Sequence, residues 1–188
     1  METADYLFSF ICGQARPFVI DGVPLPLSQR CLGLYAGSLL TVPWILGSGL
    51  WRRGLPNPGV VAVNVAMLLA AMLGGLHVVD PGPLWRFAFG LWTGHIAVLW
   101  LSGAAGNLRS LARPDREAEP WRTRDVVRAV AFPVGLAALA ASFPLLLPLG
   151  WTFWTAVGVL GAAALAVTLL AALSAAARYG LRGRHSFQ

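Results

Sequence analysis

Residues 151–177 read WTFWTAVGVLGAAALAVTLLAALSAAA, 27 positions without one charged side chain. A run of this length and character predicts a membrane-spanning helix, since about 20 apolar residues cross the ~30 Å hydrocarbon layer of a bilayer. In lipid the backbone has no water to satisfy its N–H and C=O groups, so the run must be helical. Four further apolar stretches follow the same logic: residues 32–50, 60–79, 87–105 and 126–147. Polar turns separate them, at Trp51-Arg52-Arg53-Gly54 with Pro56-Asn57-Pro58-Gly59 and at Asp80-Pro81-Gly82-Pro83. Pro148-Leu149-Gly150 makes a tight hairpin, and residues 106–125 form the one substantial loop. The expected fold is therefore an all-α membrane protein of about five transmembrane helices. Its parts are an amphiphilic interfacial segment over residues 1–31, a helical bundle over 32–177 and a basic tail over 178–188.

The composition agrees. Of 188 residues, 57% are hydrophobic and only 12% charged, about half the charged fraction of a soluble domain. Mean hydropathy is +0.67. A free cytosolic enzyme is excluded on these grounds, and so is intrinsic disorder. All 14 basic residues are arginine, against 8 acids. Such a balance can mark nucleic-acid binding, but the arginines lie between apolar blocks, so no nucleic-acid partner is expected. With the N-terminus outside, Arg16, Arg30 and Arg86 fall outside and the other eleven fall inside. The positive-inside rule then predicts N-out and C-in. The expected location is a prokaryotic cytoplasmic (inner) membrane, crossed several times. No cleavable signal peptide is expected, because Glu2 and Asp5 stand where a basic n-region would be. Phe8, Phe10 and Phe18 are expected at headgroup depth. Trp51, Trp85, Trp151 and Trp154 fall at span ends, as an aromatic belt would.

Small residues recur at intervals of four. Gly33 and Gly37, Gly90 and Gly94, and Gly158, Ala162 and Ala166 predict helix–helix contacts, because small side chains let backbones approach where lipid offers no hydrophobic drive. Packing within the bundle is the favoured use. The alanine-rich last span is the candidate for contact with another membrane subunit.

The outer segment carries the most specific pattern: Cys12-Gly13-Gln14, Arg16-Pro17-Phe18, Gly22, then Pro26-Leu27-Ser28-Gln29-Arg30-Cys31-Leu32-Gly33-Leu34-Tyr35. A second patch comprises Asp80 and Arg86-Phe87 with Gly90. Over roughly residues 10 to 95 this resembles an uncharacterised family of small prokaryotic integral membrane proteins, catalogued as a domain of unknown function. That family's pattern is Cys-His-Gln, Arg-Ser-Phe, Gly, then Pro-x-Cys-x-Arg-Cys-x-Gly-x-Tyr. The family's three cysteines and histidine imply a soft-metal or thiol site. This chain departs from the pattern at Gly13 and Ser28 and keeps only Cys12 and Cys31. Three readings of that pair stay open: a disulfide between them, two unpaired structural thiols, or a reduced metal or redox site. No closed metal site is expected.

Other chemistry-bearing groups are few. His77 and His95 fall within the second and third spans. An ionisable group at membrane depth is a functional candidate by default, and His95 is the candidate ligand for a haem or chlorophyll-type pigment, flanked by Trp92 and Trp100. A hydrogen bond to a neighbouring helix is the plainer use of both histidines, and no cofactor is expected. Arg30, Asp80 and Arg86 are read as an interfacial polar cluster. The loop over 106–125 mixes both signs of charge and reads as a solvated or docking surface. Together these features predict a non-enzymatic accessory or scaffold subunit of a larger membrane complex, of respiratory or photosynthetic type, in contact with lipid and other membrane subunits. The alternative is an outer-face thiol- or metal-handling enzyme or carrier using Cys12 and Cys31.

Overall fold

A computed structural model of the chain describes residues 17–75, 82–112 and 119–185. A β-hairpin comes first, with β1 over Pro17–Ile20 and β2 over Val23–Ser28. Helix α1 spans Gln29–Ser48, α2 Pro58–Gly75, α3 Pro83–Ala112, α4 Thr123–Ala141, α5 Phe143–Leu146 and α6 Trp151–His185. Helices α1, α3 and α6 are long and apolar enough to cross a membrane. The α4–α5 pair qualifies together but bends by 61°, and α2 is a shorter apolar helix. The protein is an all-α membrane protein with one small hairpin.

Glycine decides how the central helices meet. A Cβ built at Gly33 would overlap the Phe87 carbonyl oxygen and come within 3.0 Å of the Gly90 Cα. At Gly37 it would overlap the Leu91 carbonyl, and at Gly94 the Leu34 carbonyl. Backbone therefore lies directly on backbone along the α1–α3 seam. Because Gly33 meets Gly90 and Gly37 meets Leu91, the two helices run in the same direction. Further along, Gly103 and Gly106 of α3 pass beneath the Gly54 and Arg53 carbonyls. This contact carries α3 as a helix through 106–112, residues assigned by the sequence pattern to the loop.

Helix α6 lies against both partners, again in the same direction. Gly158 faces the Leu27 side chain, Gly161 meets the Tyr35 carbonyl, and Ala172 and Ala175 pack with Ala105. Its buried positions are Trp154, Gly158, Gly161, Ala172 and Ala175. A stripe stepping by three and four follows the 3.6-residue turn, whereas a strict step of four drifts around the helix. That drift is why Ala162 is only half-buried and Ala166 is exposed. With α1, α3 and α6 pointing one way, α2 and α4–α5 must return the chain between them.

The hairpin is the element that the sequence reading missed. Asp21 and Gly22 both have positive φ, 51° and 78°, which forms the two-residue turn that Asp-Gly dipeptides favour. Ile20, Leu25 and Leu27 turn inward from it and are buried. Phe8 and Phe10 lie outside the described residues, and Phe18 is partly buried against the core of the bundle. It packs 4.6 Å from Phe143 and 6.2 Å from Phe87 (ring centroids). Trp154 stands 4.7 Å from Phe143, buried in the same aromatic cluster. Four sequence-distant aromatics thus join β1, α3, α5 and α6 at one end of the bundle.

Candidate functional site

Three polar groupings interrupt the apolar bundle. The first is where the hairpin enters α1. Ser28 caps the helix, its Oγ accepting the Cys31 N–H at 3.3 Å. An oxygen acceptor at this position satisfies an N–H that the first turn leaves unpaired. Gln29 is buried; its Nε2 donates to the Pro17 carbonyl at 3.5 Å and its Oε1 accepts from Arg86 Nη1 at 3.0 Å. Arg86 is therefore tied to α1 and β1 through Gln29, a residue without a role in the sequence reading. Arg30 stands one residue further along α1, and its carbonyl is the atom over which Gly90 passes. Cys31 is disulfide-bonded. Cys12, the other cysteine of the chain, lies outside the described residues, as do His77 and Asp80.

The second grouping is at mid-helix. His95 of α3 is fully buried. Its Nδ1 lies 3.2 Å from Thr41 Oγ1, and the Thr41 hydroxyl donates to the Gly37 carbonyl at 2.6 Å. Since the hydroxyl proton is committed to Gly37, the oxygen is left to accept, so Nδ1 carries the hydrogen and Nε2 the lone pair. Nε2 has no hydrogen-bond partner among the described residues. Trp44 and Phe132 pack on the ring at 5.7 and 5.2 Å and stack on each other at 4.4 Å. Trp92, expected beside His95, instead donates to the Pro133 carbonyl at 3.4 Å. The rings that pack on His95 come from α1 and α4.

Chemically, Nε2 offers one nitrogen donor held in a set orientation, the arrangement that second-shell hydrogen bonds impose on a metal-ligating histidine. A planar macrocycle would reach it only after the enclosing rings moved apart. Among the described residues no three of His, Cys, Asp and Glu gather as a metal site. The Thr41 hydroxyl is the testable element. Thr41→Val is expected to lower stability by about 1–3 kcal/mol by leaving the His95 N–H unpaired, whereas Thr41→Ser should stay near wild type. Thermal unfolding in detergent, followed by circular dichroism, reads the difference.

The third grouping is at the opposite end from the hairpin. Arg53 is 7% exposed and Asp125 1%. Arg53 Nε lies 3.3 Å from Asp125 Oδ2, Arg53 Nη1 pairs with Glu119, and the same nitrogen donates to the Pro120 carbonyl at 3.3 Å. Asp125 Oδ2 also accepts the Arg122 N–H at 3.0 Å at the start of α4. Trp121 Nε1 donates to the Gly54 carbonyl at 3.1 Å. These bonds clamp the segment after α1 to the segment before α4. The sequence reading counted Arg53 only toward topology and Asp125 only as one charge of a balanced loop. The ion pair is invisible in sequence because its partners are 72 positions apart.

Residues 12–100 match the model of a family described as "Predicted membrane protein (DUF2085)". The resemblance is to this membrane family of unknown function. The DUF2085 match takes in Cys12, Cys31, the Gln29–Arg86 link, the α1–α3 seam and His95, and ends inside α3. It leaves out α4 to α6, and with them Phe132 and Asp125. No curated protein and no solved structure matches the chain.

Proposed function

We propose that the protein is a non-enzymatic accessory or scaffold subunit of a larger membrane complex, crossing a prokaryotic inner membrane five times with its N-terminus outside. One observation carries the subunit reading. Helix α6 is the most apolar candidate span and the one least covered by the rest of the chain. Opposite its buried stripe it exposes Leu160, Val167 and Leu170 together with Ala156, Ala163 and Ala166. Alanines on a lipid-facing surface gain little, but they admit a neighbouring helix backbone. The polar side chains support the same reading, since Arg53, Asp125, Gln29, Arg86 and Thr41 all hold elements together. Parallel α1, α3 and α6 require two return passages, which supports five crossings. The thiol-handling alternative has less behind it, because Cys31 is engaged in a disulfide and the free thiolate is the nucleophile and ligand.

Photocrosslinking in native membranes tests the proposal. A photoreactive residue at Ala163 or Val167 is expected to yield a discrete adduct with another polypeptide, and one at exposed Leu69 of α2 only lipid adducts. Lipid adducts alone from every position would overturn the subunit reading. An adduct between two copies of this 20.0 kDa chain would replace it with a homo-oligomer.

A further inference from the structure

A groove runs between α1 and α4, lined by Leu40 and Trp44 on one side and by Arg128, Phe132, Gly135 and Leu139 on the other. Its volume is about 480 Å³. The stacked rings of Trp44 and Phe132 line it and separate it from His95. A Cβ at Gly135 would meet nothing within 4 Å, so that position widens the groove instead of serving a close helix contact.

Its charge is confined to one end. Arg128 is exposed and, unlike nearby Arg53 and Arg124, makes no ion pair among the described residues. Every other named lining side chain is apolar or aromatic. From Arg128 to Leu139 is eleven residues of α4, or about 16 Å at 1.5 Å per residue. That is close to half of the ~30 Å hydrocarbon layer. The groove ends there, just before α4 gives way to α5 and the chain bends by 61°. A cation at one end and an apolar channel one leaflet deep match a single phospholipid, headgroup at Arg128 and acyl chain toward Leu139. A partner helix would be expected to follow the full depth of the membrane.

We propose that the α1–α4 groove binds an anionic phospholipid of the inner leaflet, with the Arg128 guanidinium on its phosphate. Arginine suits this role because its fork donates two parallel hydrogen bonds to phosphate oxygens. The inner leaflet is where anionic lipids concentrate. The inference is independent of the subunit reading and needs only that Arg128 sits at that leaflet.

The test uses the full chain in phosphatidylcholine vesicles, with spin-labelled phosphatidylglycerol or spin-labelled phosphatidylcholine as probe. The wild-type protein should immobilise phosphatidylglycerol in preference to phosphatidylcholine. Arg128→Gln should lower that preference about 5-fold, the equivalent of about 1 kcal/mol for one basic residue near the surface. Gly135→Leu should reduce the immobilised fraction of both lipids, because its side chain starts in open space and projects into the groove. Arg124→Gln should leave the preference unchanged. An undiminished preference in Arg128→Gln, or an equal loss in Arg124→Gln, would overturn the proposal in favour of general surface charge. Displacement of the label by inorganic phosphate would overturn it in favour of a headgroup-only anion site.

Discussion

Leucine in place of Gly90 is expected to abolish the folded bundle. The Gly90 Cα lies against the first turns of α1, where an added Cβ would overlap the Arg30 carbonyl oxygen and come within 2.8 Å of the Leu34 nitrogen. These are backbone atoms, so no rotamer change relieves the clash and the helices must separate. Separation would undo the neighbouring contacts at Gly33, Gly37 and Gly94 as well, since all four belong to one seam. A core already at close-packed density absorbs little of this strain. The expected loss exceeds about 4 kcal/mol, the range reserved for a short list of severe mechanisms. Gly90→Ala should show the same effect in weaker form. Gly47→Ala, also in α1, is the control, because a Cβ there meets nothing within 4 Å. Size-exclusion profiles and thermal unfolding in detergent should show collapse at Gly90 and near-wild-type behaviour at Gly47. A stable, monodisperse Gly90→Leu variant would mean that α1 and α3 do not cross as described.

The seam illustrates what was legible in the sequence. Gly33, Gly37, Gly90 and Gly94 could be singled out because lipid removes the hydrophobic drive between helices and leaves close approach to small residues. The same rule applied with a fixed step of four drifts around α6, so Gly158 falls on the buried stripe and Ala166 on the exposed face. Which helix each glycine meets was not legible, because any two small-residue faces satisfy the pattern. The hairpin had a readable signal in Asp21-Gly22, but the flanking prolines and short strands obscured it beside longer apolar runs. Around His95 only the histidine itself stood out. Thr41, Trp44 and Phe132 reach it from two other helices, and local spacing carries no information about such approach. Trp92 and Trp100 flank His95 along one helix, but being three residues away only puts Trp92 on the same face, where its indole bonds Pro133 of α4 instead.

The departure at Ser28 acquires a physical account. At the position where the family pattern has a cysteine, this chain has an N-cap, and its oxygen accepts the N–H of the remaining cysteine, Cys31. Serine is among the favoured capping residues, so the replacement suits a structural role for the start of α1 better than retained metal chemistry. This agrees with a disulfide at Cys31 and with a first turn whose polar groups bind other elements of the same chain.

Arg53→Met is expected to be strongly damaging although it lies outside the glycine seam. Asp125 is almost wholly enclosed, so removing Arg53 leaves its carboxylate with only the exposed Arg124 at 3.9 Å, where water cannot make up the loss. Breaking a buried pair in this way costs about 3–5 kcal/mol, mostly as the penalty on the orphaned charge. Asp125→Ala should match or exceed that loss, because it also removes the acceptor for the Arg122 N–H at the start of α4, worth about 0.5–2 kcal/mol. Glu119 should matter far less: its side chain is 52% exposed, and exposed pairs contribute about 0–1 kcal/mol. The decisive comparison is the double variant Arg53→Met with Asp125→Asn, which removes both charges while leaving an amide oxygen for the Arg122 N–H. It should be more stable than the sum of the Arg53→Met and Asp125→Asn single losses predicts, by an interaction energy of about 0.5–3 kcal/mol. Added salt should change that value little, because a buried pair is poorly screened. Additive losses, or a coupling that salt abolishes, would show that Arg53 and Asp125 act as independent surface charges. In that case the clamp between the end of α1 and the start of α4 would rest on Trp121 and its bond to Gly54 alone.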